Sequence, residues 1–412
     1  MRSKQVPSAF LRIAVILAVA LVLMPPALAQ TKFKVLYTFK GPPDAAAPYA
    51  GVIFDGNGNL YGTTAGGGTG KCGLGCGTVY ELKRQSSGRW TEEVLHSFQN
   101  SDGGVFGGLV ADPLGNMYGI ADGANGPLFE LTPSGQVKLY ALPDGGSRWS
   151  LFRDRAGNLF GLGAGGVFEL TRSSQGWKQK VLYFFQCGGD GCDPVGSLIP
   201  DAKGNLYGAT EFGGNFRPAC TSSSGGCGTV YEVTQEADGK WRENVLHRFA
   251  QFKDDGQIPM AGPVMDSQGN LYGTTIQGGS VRNNGLCLEG CGIVYKLTPG
   301  LHGTWKESIL YNFCHAKDCT DGAGGGALVF DRAGNLYGIS AGGIGPCNGG
   351  CGVVFKLSPG ANGKWTHHVL HRFSGPDGGD PLPLTMDNEG HLYGTTFWGG
   401  KYLYGVVYEI TP

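Results

Sequence analysis

One eight-residue signature recurs seven times between Asp55 and Gly394, and it restricts the chain to a repeat architecture. The copies are DGNGNLYG (55–62), DPLGNMYG (112–119), DRAGNLFG (154–161), DAKGNLYG (201–208), DSQGNLYG (266–273), DRAGNLYG (331–338) and DNEGHLYG (387–394). After a glycine-rich loop each copy runs into an alternating segment, for example GTVYEL from Gly77, GVFEL from Gly166, GIVYKL from Gly292 or GVVFKL from Gly352. Alternation marks a strand. In most copies a polar turn then leads to a second such segment, often opened by tryptophan: WTEEVLHSF from Trp90, WRENVLHRF from Trp241, WKESILYNF from Trp305 and WTHHVLHRF from Trp365. Each unit therefore holds four strands, A to D, and the DxxGN turn joins A to B, with Asp accepting backbone N–H groups and Gly supplying a positive φ.

Four short antiparallel strands repeated seven times predict an all-β fold, a seven-bladed β-propeller of four-stranded blades. The termini agree with that count. The last copy stops after strand C at Ile410, while Lys34-Val35-Leu36-Tyr37-Thr38-Phe39 matches strand D of the other copies. The N-terminal strand is thus expected to pair with the last blade, close the ring and leave no open sheet edge.

A length of 412 residues would ordinarily suggest two or three domains. Gly 75 and Pro 22, with 41% hydrophobic and 16% charged residues, suit many short strands in one unit instead. Residues 1–29 read as a signal peptide: Arg2, Lys4 and Arg12 precede the apolar run Ile13 to Leu23, then Pro25-Pro26 and the small-residue site Ala27-Leu28-Ala29. Residues 30–412 are then a single propeller domain, secreted to the periplasm or the outside. No transmembrane segment is expected after cleavage, because the apolar run is shorter than the ~20 residues of a spanning helix. The formal charge of −1 becomes −4 without the three leader cations, and no basic stripe is present, which excludes nucleic acid as a partner. The end of the chain, Tyr408 to Pro412, shows neither a hydrophobic tail nor a basic cluster, so no C-terminal anchor is expected, and the protein is taken as a monomer.

Through DxxGNLYGTT, GTVYEL and WxxxVLHSF the repeat resembles the tandem GloVer (Gloeo_Verruco) repeat of exported bacterial proteins, such as choice-of-anchor tandem repeat GloVer-containing proteins. The resemblance covers almost all of the processed chain. It implies a secreted or surface-attached propeller with interchangeable anchors, and brings no activity or catalytic residue with it.

In a propeller the B-to-C and D-to-A loops open on one face. These are the long, variable loops, where binding usually lives. Twelve cysteines fall on that face in six close pairs: Cys72/Cys76, Cys187/Cys192, Cys220/Cys227, Cys287/Cys291, Cys314/Cys319 and Cys347/Cys351. An even count in an exported chain reads as disulfides, worth about 2 kcal/mol for each short loop. Metal binding by thiolates, or pairing between neighbouring loops, are the alternatives.

A second seven-fold feature is an aspartate in each D-to-A loop: Asp44, Asp102, Asp144, Asp190, Asp255, Asp321 and Asp377. Such a ring could hold a cation or sugar hydroxyls, although Asp before Gly is also ordinary turn chemistry. The aromatics Tyr61, Tyr118, Phe160, Tyr207, Tyr272, Tyr337 and Tyr393 are expected to pack between blades. So are His96, His247 and His371, which share one strand D position with Tyr37, Tyr140, Tyr183 and Tyr311.

Gly338-Ile339-Ser340-Ala341-Gly342 matches GxSxG by letter, but no helix follows to make a nucleophile elbow. No catalytic residue, metal site or cofactor is therefore expected. Groups on the variable face that the other copies do not share are Asp122, Arg148, Trp149, Glu211, Arg217, Arg282, Glu289, His315 and Trp398. The expected function is a binding or scaffold module for a glycan, an envelope protein or another cell-envelope component. The alternative is a polysaccharide hydrolase or lyase using carboxylates such as Asp122 and Glu211.

Overall fold

Each repeat folds into one antiparallel sheet because its apolar alternation gives it two faces to bury, and only neighbouring repeats can cover them. A computed structural model describes residues 31–99, 104–121, 126–146, 149–163, 165–214, 225–282, 287–343, 347 and 350–412. It contains seven blades. Blade 1, for example, has strands Ile53–Phe54, Leu60–Gly67, Thr78–Arg84 and Trp90–Ser97 in the order A to D, and blade 4 has Cys192–Pro200, Leu206–Phe212, Thr229–Gln235 and Trp241–Arg248. The seven-bladed propeller is thus the fold the repeat count predicts. Residues 1–29, the expected leader, lie outside the described residues. Among the described residues no helix is long and apolar enough to cross a membrane.

Ring closure follows the expected route. The N-terminal strand Lys32–Thr38 pairs antiparallel with strand C of blade 7, Val406–Thr411, from Lys32↔Thr411 to Thr38↔Val406. A register shift between Val35 and Tyr37 leaves Leu36 as a bulge. Blade 1 shifts in the same way between Val79 and Tyr80, blade 4 between Val230 and Tyr231, and blade 5 between Val294 and Tyr295. The recurring Val-Leu-His/Tyr of strand D is therefore a bulge signature, and the first strand of the chain carries it too.

Adjacent blades are joined by one repeated aromatic pair. The phenylalanine ending strand D of one blade meets the strand C aromatic of the next edge-on: Phe39–Tyr80, Phe98–Phe129, Phe185–Tyr231, Phe249–Tyr295, Phe313–Phe355 and Phe373–Tyr408, with centroids 4.8–5.4 Å apart. Between blades 2 and 3, Leu142 takes the phenylalanine's place beside Phe168. These rings are fully or almost fully buried, and they explain the glycine of LYG. A Cβ on Gly62 would collide with the Tyr80 hydroxyl, and one on Gly273 with that of Tyr295. The B-strand tyrosines expected between blades are there as well: Tyr393 packs on Phe54 of blade 1 at 5.0 Å and Tyr272 on Phe330 of blade 6 at 5.1 Å.

Strand A departs from the simple pattern. In blade 1 it is split into Ala45–Pro48 and Ile53–Phe54, both paired with strand B, and in blade 7 into Gly379–Pro381 and Thr385–Met386. A left-handed residue lies three positions after the loop aspartate: Ala47, Asp193, Ile258 and Asp380 have φ of 52–59°, and Gly324 has 68°. Such a backbone costs a non-glycine residue about 1 kcal/mol or more. Its N–H, however, reaches into the preceding blade: Ala47 N–H donates to Tyr404 O, Ile258 to Cys227 O, Gly324 to Cys291 O and Asp380 to Cys351 O, at 2.7–3.0 Å. The strain is thus offset by a hydrogen bond across the blade boundary.

Candidate functional site: the stapled loop face

The cysteine loops lie where that blade-to-blade bond is made. Disulfides join Cys72–Cys76, Cys187–Cys192, Cys287–Cys291, Cys314–Cys319 and Cys347–Cys351, with Cα–Cα separations of 4.0–5.1 Å. Cys227 is also disulfide-bonded, while Cys220 lies outside the described residues. Pairing is thus within each of the five loops whose two cysteines are both described, not between them. Because the carbonyls of Cys227, Cys291 and Cys351 accept the next blade's left-handed N–H, each staple fixes an acceptor that holds two blades in register. The bridges at Cys287–Cys291 and Cys314–Cys319 abut, their sulfurs lying within 4.8 Å of one another. Thiol titration of the unreduced, denatured protein should therefore find no reactive cysteine; two or more per chain would contradict this pairing.

The described loop aspartates are distributed one to a blade boundary, each bonded to a strand D or to the loop that leaves it. Asp44 Oδ2 accepts from the Tyr37 hydroxyl and Lys40 N–H, both at 2.9 Å. Asp190 Oδ2 accepts from Tyr183 at 3.0 Å and Gln186 N–H at 2.8 Å. Asp321 accepts from the Tyr311 hydroxyl and from His315 N–H. Asp377 meets His371 Nε2 at 2.9 Å and the Ser374 N–H and hydroxyl at 2.8 Å. Asp255 faces His247 Nε2 at 3.4 Å and accepts from Gln251 N–H at 2.9 Å. Asp144 bonds through its own N–H to Gln179 Oε1 of blade 3 at 3.0 Å, and Asp102 lies outside the described residues. At five of the described boundaries the shared Tyr/His position of strand D thus holds the loop that crosses to the next blade, while Tyr140 bonds Glu130 Oε2 at 2.8 Å instead.

A third group meets the described aspartates, supplied by strand D of the following blade and, except in the closing strand, placed two residues after a tryptophan. Glu92 stands against Asp44, Glu243 against Asp190 and Glu307 against Asp255. In each glutamate one buried oxygen has no hydrogen-bond donor in reach. Burial first, and the neighbouring aspartate second, push all three carboxyls up, Glu243 to about 7. Two carboxylates in such a place oppose each other's ionisation, so each glutamate keeps its proton to a higher pH than an exposed carboxyl does. The equivalent in blade 6 is His367, stacked on Tyr311 at 4.1 Å, and burial holds its imidazole down at about 4. In the closing strand it is Phe33, stacked on His371 at 3.6 Å.

The axial side of the face is built differently. Where strands A converge, backbones touch: a Cβ at Gly51 would strike the Pro383 carbonyl of blade 7. Just above, Tyr49 of blade 1 meets Phe106 of blade 2 at 5.0 Å and Phe397 of blade 7 at 5.6 Å, each at right angles. Phe397 is 36% exposed and the other two are half-buried. The same blade 7 loop exposes Leu403, 68%, and Tyr402. This trio is absent from the expected site residues. Its signal was there, since Phe397 replaces Ala65, Glu211, Ile276 or Ala341 of other copies, and Phe106 replaces Pro48, Pro194 or Pro259.

Of the other singled-out groups, Glu211 is half-buried at the end of strand B in blade 4. Trp398 Nε1 donates to Asp380 Oδ2 at 2.6 Å, and Arg282 donates to Leu288 O at 3.2 Å. Ser340 is buried inside strand Leu336–Ala341 and donates to Ala341 O, which is no nucleophile elbow. Asp122, Arg148 and Arg217 lie outside the described residues.

Two solved structures share this architecture. Virginiamycin B lyase from Staphylococcus aureus is similar over 93% of this chain and 100% of its own, with 13% identity and a TM-score of 0.55. The extracellular domain of a putative hybrid two-component system from B. thetaiotaomicron is similar over 92% of this chain, with 13% identity and a TM-score of 0.52; the match spans 41% of that chain. No family model matches the sequence, and no curated protein does. At such identity the likeness extends to the fold alone, and what this chain has in common with both is the β-propeller.

Proposed function

We propose that the chain is an exported binding protein of the GloVer-repeat kind, whose stapled loop face takes a glycan of the cell envelope. The observation that carries this is the Tyr49–Phe106–Phe397 trio. Three rings from three consecutive blades are held by a rigid scaffold, with one of them open to solvent. Aromatic faces and edges offer a sugar ring an apolar surface, and the fixed blades spend little ordering entropy on binding. The Cys72–Cys76 disulfide of blade 1, whose Cys76 packs with Val105 next to Phe106, serves the same end by limiting how far the face can deform.

The test is a screen of envelope oligosaccharides against the processed protein and its Tyr49→Ala/Phe397→Ala variant. Loss of two stacking rings, at about 1 kcal/mol each, should weaken binding roughly tenfold or more while the melting temperature changes little. Equal affinity in the variant would remove the aromatic trio from the site, and absence of binding to any glycan at millimolar concentration would sink the proposal.

A further inference from the structure

Among the described blade boundaries, the one between blades 4 and 5 carries a combination found at no other. Three of the described boundaries place a tyrosine beside the loop aspartate: Tyr37 with Asp44 and Glu92, Tyr183 with Asp190 and Glu243, Tyr311 with Asp321 and His367. The boundary between blades 6 and 7 has His371 and Asp377 but presents Phe33 as the third group. Between blades 4 and 5, His247, Asp255 and Glu307 all meet. His247 Nε2 is 3.4 Å from Asp255 Oδ1 and 3.7 Å from Glu307 Oε1, and the three atoms lie within 4.8 Å of one another. Their side chains are 8, 0 and 10% exposed.

We propose that His247, Asp255 and Glu307 form a binding site for one divalent transition cation of the Zn²⁺ class, clamping blade 4 to blade 5. One imidazole and two carboxylates make a mixed N/O donor set that suits zinc. Ligand atoms ~2.0–2.1 Å from a tetrahedral ion stand about 3.4 Å apart, which is close to the spacing here. Two carboxyl groups and one imidazole buried together offer a divalent ion oxygen and nitrogen donors, and the ion's charge offsets that of the carboxylates it binds.

A second observation is independent of that spacing. Glu307 Oε1 is buried and aimed into the cluster, with no hydrogen-bond donor within reach. Where tyrosine stands in place of His247, its hydroxyl donates a proton to the aspartate, as in the Tyr37–Asp44 bond. An imidazole Nε2 in its neutral, unprotonated form offers a lone pair instead. Arg248, the nearest cation along the strand, directs its Nε to the carbonyls of Gly189 and Gly214 and does not neutralise the cluster. Entry is open through a cleft of ≈ 450 Å³ lined by His247, Gln251, Phe252, Trp305 and Glu307.

The Asp387, Glu389 and His391 cluster is the natural control. It belongs to an exposed A-to-B turn, where His391 Nδ1 bonds Asp387 at 3.0 Å in the role that asparagine plays in the other copies. The experiment uses the tag-free processed protein, stripped with a chelator and titrated with Zn²⁺ by calorimetry, with metal analysis and thermal melting alongside. One Zn²⁺ per chain with a rise in Tm is expected. His247→Tyr rebuilds the neighbouring boundaries' own arrangement, so it should fold and melt like the stripped wild type. It should nevertheless bind at least about 100-fold more weakly, since even an outer-shell loss costs 10–100-fold. Glu307→Gln should behave alike, and His391→Asn should bind as the wild type does. No stoichiometric uptake by the wild type, full uptake by His247→Tyr, or loss of uptake in His391→Asn would each overturn the site.

Discussion

Deleting residues 31–40 should leave a chain that no longer melts cooperatively, because those ten residues carry both strand D of blade 7 and the contact that fuses blade 7 to blade 1. Six residue pairs of the closing ladder disappear. Val407, Tyr408 and Ile410, all fully buried, would line an open edge, and Tyr80 would lose Phe39. Removing Phe39, Leu36 and the partly buried Phe33 and Val35 forfeits about 1.5–3 kcal/mol for each large side chain, of order 10 kcal/mol together. That is comparable with the whole stability of an ordinary domain, about 5–15 kcal/mol. A permutant separates loss of the strand from loss of an N-terminus. With residues 31–41 moved behind Pro412 through a copy of the 85–89 turn, strand D would follow strand C as it does in blade 1. Its melting should match the wild type, whereas the truncated chain should show a broad, low transition and a tendency to aggregate by its free edge. A truncated chain that melts like the intact one would mean the ring is not held shut at this seam.

What the repeat made legible was everything that seven copies share. The period gave the blade count, the alternation gave strands B, C and D, and the unmatched ends gave the closure, while the bulge at Leu36 emerged only in the structure. Strand A was less readable, because a left-handed residue such as Ile258 interrupts it and nothing about isoleucine announces that backbone. Only the proline that follows hints at it. The boundary contacts were hidden for another reason: Glu92 is 48 residues from Asp44, and in WTEEVLHSF it reads as a solvent-facing position of an alternating strand. In a propeller, however, both faces of a blade are covered, so the polar side of strand D also meets a neighbour. The loop aspartates were visible as a ring, but their purpose depended on a partner from the next repeat. The aromatic trio and the His247 cluster were the hardest: the trio arises where single copies depart from the shared pattern and meet in space, and the cluster where residue types that other copies also carry coincide at one boundary.

The same buried carboxyl pairs give the fold a pH dependence whose sign is opposite to that of an ordinary salt-bridged protein. Glu243 faces Asp190, Arg248, Tyr183 and Tyr231, and burial raises it from 4.5 to about 7. Glu92 faces Asp44, Lys40, the Ala45 N–H, Tyr37 and Tyr80, and is raised for the same first cause. A raised carboxyl binds its proton more tightly in the folded chain than in the unfolded one. Its stabilising contribution is therefore complete below pH 4.5 and is lost as pH climbs through the folded value, near 7 for Glu243 and higher for Glu92. The turn aspartates act at the other end. Asp55 and Asp266 are partly buried, which opposes ionisation, but the N–H and side-chain bonds from Asn59 and Asn270 outweigh this and hold both carboxyls below 3.8. Their contribution is lost only in stronger acid. Melting temperature should thus peak in mildly acidic buffer and fall between pH 5 and pH 9. Because both glutamates keep some contact with water, each contributes about 1–2 kcal/mol of that fall and not the full 1.36 kcal/mol per pH unit. The Glu92→Gln/Glu243→Gln variant keeps the shape, can donate to the facing aspartate at every pH, and should lose most of the slope while gaining stability at pH 9. Should the variant instead follow the wild-type profile in parallel across that range, the alkaline fall would have to come from other groups and the shared protons at these two boundaries would be excluded.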